Sequence, residues 1–130
     1  MNVYLNRRGM ALLFFALVFI VIGESYTDGP VTNYQAAILS IITGVMPLWM
    51  WGYVWIGVGV ACVVGAIWRN AQPAAYGLCM FLCCMWGLGY LAAAIFVPDV
   101  PRAYSGGVTW IALAGFLQLL ATWPDNERRR

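Results

Sequence analysis

The sequence predicts an all-α fold, an integral membrane bundle of four transmembrane helices plus one short interfacial amphipathic helix. Three observations predict it. Hydrophobic residues make up 63% of the 130 positions and charged residues only 9%, against about 25% charged in soluble domains. Mean hydropathy is +0.78. Between Arg8 and Arg128 the only basic residues are Arg69 and Arg102, and the chain has no His. A crossing uses ~20 apolar residues, so four crossings with short loops fill residues 1–130 as a single transmembrane domain and leave no room for a soluble one.

The first apolar stretch runs from about residue 9 to 23, behind Arg7 and Arg8. At 1.5 Å per residue it is short, and the two arginines extend it by snorkelling towards the headgroups. Gly23-Glu24-Ser25 is a poor match to a signal-cleavage pattern, so the helix is expected to stay attached. Next comes a segment of about 33–46 with helical period: Tyr34, Ala37, Ile38, Ile41, Ile42, Val45 and Met46 share one stripe. Asn33 is its expected N-cap and Pro47 its end. It is too short to span and reads as an interfacial helix. The remaining crossings are expected at about 50–68, 74–96 and 107–123.

Orientation follows from the arginines. With four crossings, Arg7, Arg8, Arg69, Arg128, Arg129 and Arg130 fall on one side and Arg102 alone on the other. Because short loops rich in Lys and Arg stay inside, both termini are expected in the cytoplasm. Trp and Tyr near the predicted helix ends fit the two headgroup levels.

Lipid gives helices no hydrophobic reason to associate, so contacts depend on small residues that permit close approach. Gly57, Ala61 and Gly65 recur every four residues in the second helix, and Cys83 and Gly87 do so in the third. These are the candidate helix-packing or self-association residues. Gln118, in the last helix, needs a hydrogen-bond partner or water, because an unpaired buried polar group costs ~2–7 kcal/mol depending on reference state. The four cysteines, Cys62, Cys79, Cys83 and Cys84, all sit in apolar stretches and read as packing residues.

Several classes are excluded. Without His there is no haem ligand of the usual membrane-anchor type, and without His or Lys there is no base to activate a nucleophile. Cysteines alone, with no carboxylate nearby, make a poor zinc site. No catalytic residue, metal or cofactor is expected, and the chain does not read as an enzyme. The net charge of +2 gives no reason to expect a nucleic-acid partner. The expected partners are the bilayer, further copies of the chain, or a larger membrane protein.

The layout resembles one family. The opening Arg7-Arg8-Gly9-Met10-Ala11-Leu12-Leu13-Phe14, the first helix ending in Gly23, the amphipathic spacer and the closing Trp123-Pro124-Asp125 look like small four-helix membrane proteins of actinobacterial phages. Those are commonly encoded near endolysin genes and treated as holin-like. The resemblance implies a host cytoplasmic-membrane location, oligomerisation and a role in host lysis, with no catalytic residue to carry over. The basic tail here is confined to Arg128–Arg130, shorter than in many holins. The alternative readings are an accessory subunit or exclusion protein on a larger membrane partner, and a small transporter or channel.

Overall fold

The computed structural model describes residues 5–30 and 32–124, so Arg128, Arg129 and Arg130, expected to mark the cytoplasmic side, lie outside the described residues. The fold is all-α, with no strand among the described residues. Four helices are long and apolar enough to cross a membrane: α1 (Arg7–Thr27), α4 (Leu48–Ile67), α5 (Gln72–Phe96) and α6 (Ala103–Thr122). This is a multi-pass membrane protein.

Helix ends differ from the sequence expectation in ways the local chemistry explains. Asn6 caps α1, its Oδ1 accepting from the Gly9 amide at 2.7 Å, and the helix continues past Gly23 to Thr27. Its 21 residues extend ~31 Å at 1.5 Å per residue, so no snorkelling is needed to span. Pro73 sits in the first turn of α5, where its missing N–H costs nothing. The last crossing begins at Ala103, before the expected Gly107, following a turn in which Asp99 takes φ 66°.

The predicted single interfacial helix is instead two short ones, α2 (Asn33–Ile38) and α3 (Ser40–Thr43). Thr32, not Asn33, is the cap, its hydroxyl accepting from the Gln35 amide at 3.1 Å. Hydroxyls compete here for backbone carbonyls: Ser40 Oγ donates to the Ala37 oxygen at 2.7 Å, a local bond of the kind that loosens helical continuity. The stripe is also rotated. Ile38, Leu39 and Ile42 are buried, whereas Val45 is 83% exposed. Trp51 Nε1 donates to the Ile42 oxygen at 3.1 Å and ties α3 to α4.

The bundle is built from two antiparallel hairpins. In the first, α1 lies against α4 along facing small residues. A Cβ added at Gly23 would sit 2.5 Å from the Gly52 carbonyl oxygen, and one at Gly52 would sit 2.6 Å from that of Gly23. One added at Gly59 would meet the Ala16 oxygen at 3.1 Å, and one at Gly9 the Ala66 oxygen at 3.0 Å. Gly9, Ala16 and Gly23 therefore face Ala66, Gly59 and Gly52, with seven-residue spacing on both helices. A seven-residue period keeps one face of a helix turned to its partner over its whole length. In the second hairpin, α5 and α6 approach most closely at Gly87 and Gly107, whose added Cβ atoms would lie 3.1 and 3.0 Å from each other's carbonyl oxygens.

Aromatic rings fill the space between the hairpins. Trp55 and Trp86 are both 0% exposed, with centroids 5.2 Å apart and planes at 89°. Phe19, Tyr26, Trp51 and Trp110 surround them, in the edge-to-face and offset arrangements that ring quadrupoles favour. Trp86 Nε1 donates to the Tyr26 hydroxyl at 3.2 Å. Trp55 Nε1 has no hydrogen-bond acceptor among the described residues and is enclosed by rings.

Candidate functional site

The five residues singled out from the sequence as association candidates fall into different environments. Gly87 is in the α5–α6 contact. Gly65 faces α5, where an added Cβ would lie 2.8 Å from that of Ala75. Cys83 is fully buried in the core. These three serve packing inside one chain. Ala61 is half-buried, and Gly57 is exposed with nothing within 4 Å of an added Cβ. The four-residue stripe of α4 is therefore not a single internal seam, because its Gly57 end turns away from every other helix. Residues Gly52, Gly59 and Ala66 carry that seam instead, and their seven-residue spacing was the signal for them.

No group of three or more metal-ligating side chains occurs among the described residues. Cys62 on α4 and Cys79 on α5 bring their sulfurs to 3.0 Å in the core, one of the few polar contacts joining the two hairpins.

The surface most suited to a partner lies on α6. It is the least buried crossing, with 17% of its apolar stretch buried against 39% in each of the others. Tyr104, Val108, Gly115, Gln118 and Thr122 are exposed and fall on one side of the helix, an outward face bordered by Ile111, which packs against Gly87 of α5. An added Cβ at Gly115 would meet nothing within 4 Å, which makes a notch in that face. One turn on, the Gln118 side chain projects outwards. Its backbone oxygen accepts from Thr122 Oγ1 at 3.0 Å, and its side-chain amide bonds to none of the described residues. Of the two outcomes expected for Gln118, a hydrogen-bond partner or water, the first is not met among the described residues. Gln118 stands four residues before the end of α6, ~6 Å along the axis. An amide projecting there towards lipid gains from any neighbour that can donate or accept.

At the opposite end of α6 from Arg102, the arginine-bearing end of the bundle is a polar layer. Gln72 Nε2 donates to Asn6 Oδ1 at 3.0 Å, and Tyr76 OH donates to the Arg8 carbonyl oxygen at 2.9 Å. Asn6 and Gln72 are both buried, so this layer fixes the start of α1 against the start of α5. Arg7, Arg8 and Arg69 share this end; Glu24, Asp28, Asp99 and Arg102 share the other.

In comparisons with known proteins, the chain matches no family model, no curated protein and no solved structure.

Proposed function

We propose that this chain is a holin-like membrane protein of a phage or prophage, which self-associates in the host cytoplasmic membrane and contributes to lysis by depolarising it. Both termini face the cytoplasm in this reading, as the distribution of arginines favours. The observation that carries self-association is the outward face of α6, where the Gly115 notch adjoins the exposed side-chain amide of Gln118. Two such faces meeting allow close backbone approach at the glycine. They also allow an amide–amide hydrogen bond across the contact, the two features that hold helices together in lipid. The reading is supported from the other side by what the core contains. Buried aromatics and glycine seams fill the interior of each chain, so a lesion would form between chains and not through one.

Inducible expression in bacteria carrying a potential-sensitive dye tests this function. We expect normal potential while the protein accumulates, then abrupt collapse. Sustained normal potential at high membrane levels would contradict a lytic role.

A further inference from the structure

The arginine-bearing end of the bundle holds a cavity of about 510 Å³. It opens where α1 starts, α4 turns into α5, and α6 ends; Arg8, Arg69, Asn70, Gln72, Trp123 and Pro124 line it. We propose that this cavity is a binding site for the phosphodiester headgroup of an anionic phospholipid, with Arg8 as the principal ligand. Four observations converge on that chemistry. Arg8 and Arg69 both line the cavity, and no carboxylate is among its described lining residues. Arg8 Nε is shut off from solvent and has no hydrogen-bond partner among the described residues; a buried cationic N–H left unpaired is costly, and a phosphate oxygen satisfies it with a charge-assisted bond. The Arg8 guanidinium is also held in place, 5.9 Å over the Tyr76 ring, while the Tyr76 hydroxyl binds the Arg8 backbone. Finally, Gln72 presents a buried amide on the cavity wall, itself fixed by Asn6.

Location selects a lipid over a soluble anion. The cavity lies at the ends of four membrane-crossing helices, with Trp123 on its rim half-exposed at 54%. A second, smaller cleft of about 160 Å³ lies beside it between Arg7, Arg8, Leu120 and Trp123. That cleft runs from the guanidiniums onto the apolar flank of α6, a route for the glycerol backbone and first methylenes of an acyl chain. A basic pocket between helix ends on the positively charged side of a membrane protein suits anionic headgroups generally. The site is independent of the self-association face, which lies on the outward side of α6.

The full-length chain in detergent, unfolded by heat with tryptophan fluorescence as readout, tests the site. Phosphatidylglycerol added to the micelles should raise the melting temperature saturably, whereas phosphatidylcholine at the same mole fraction should not. Arg8→Gln and Arg69→Gln should each weaken half-saturation by about tenfold, the loss of roughly one charge-assisted hydrogen bond. Arg102→Gln, at the other end of the bundle, should leave the response unchanged. Each variant's melting temperature without added lipid separates a binding defect from a folding one, and Arg69→Gln serves if Arg8→Gln does not fold. Equal stabilisation by both lipids would overturn the proposal, as would an undiminished response in the folded variants. A response reproduced by inorganic phosphate at matched concentration would reassign the cavity to a soluble anion and refute the lipid.

Discussion

Gly23→Leu should prevent the α1–α4 hairpin from forming. Even the first carbon of a side chain at this position would lie 2.5 Å from the Gly52 carbonyl oxygen and 2.8 Å from the Ile56 amide nitrogen. Both are backbone atoms within a helix and neither can rotate away. Relief requires moving one helix bodily, which breaks the contacts at Gly59 and Ala66 on the same seam. Overpacked sites cost ~1–3 kcal/mol and occasionally more; a whole seam failing together belongs at or above the upper end. Gly52→Leu should behave alike, from the facing side. Gly57→Leu, on the same helix but with nothing within 4 Å, should leave the monomer's stability nearly unchanged. Unfolding in graded dodecyl sulfate, followed by tryptophan fluorescence, measures the difference. Equal losses at Gly23 and Gly57 would show that the seam is not where the helices meet.

Trp86→Ala should produce the second large effect. Its ring is fully buried, stacks on Tyr26 at 5.5 Å, and meets Trp51 and Trp55 edge-on at 5.5 and 5.2 Å. Truncation opens a cavity between the hairpins and strands the Tyr26 hydroxyl that Nε1 bonds. Buried aromatic truncations in soluble proteins cost ~3–5 kcal/mol. In lipid the transfer part of that cost is small, because the surrounding solvent is as apolar as the core. We therefore expect ~3 kcal/mol, the cavity and lost contacts dominating. Trp68→Ala, at a ring 61% exposed, should change stability by no more than about 0.5 kcal/mol. The same dodecyl sulfate titration compares the two, and similar losses would place the core elsewhere.

What the sequence revealed and what it hid divide along a physical line. Crossing helices are legible because each must be apolar for its whole length, and the polar breaks at Thr27–Asn33, Trp68–Gln72 and Val97–Arg102 separate them. Which side of a helix faces its partners is much less legible, because lipid and protein interior demand the same apolar residues. Only glycine and alanine mark contact in such helices, and α4 offers two overlapping sets. The four-residue set of Gly57, Ala61 and Gly65 matched a familiar spacing; the seven-residue set of Gly52, Gly59 and Ala66 is the one that meets α1. A second copy of the seven-residue pattern, Gly9, Ala16 and Gly23, stands in α1 and is the unread signal that pairs the two helices. The amphipathic spacer shows the complementary failure. Its apolar period suggested one continuous helix, yet Ser40 and Thr43 bond to carbonyls one turn back, and the chain breaks at Leu39, which is then the residue buried deepest. Gln118 was rightly conspicuous as a polar group in an apolar helix. Its direction depends on which face of α6 meets α5, and that is set by Gly107 and Ala114 rather than by any property of Gln118 itself.

Self-association through α6 is tested most directly by disulfide trapping in native membranes. In a background with the four native cysteines replaced by Ala, a single Cys is placed at Gly115 or at Val108, on the outward face, or at Leu117, which is fully buried. Mild oxidation should convert the outward-face variants to covalent homodimers and leave the Leu117 variant monomeric. Adding Gln118→Leu to the Val108 variant should sharply reduce its dimer, since the hydrogen bond across the contact is lost. Absence of dimer at both outward positions, in protein that is inserted and abundant, would contradict the account. A single crosslinked band of another mass would assign the face to a different membrane protein.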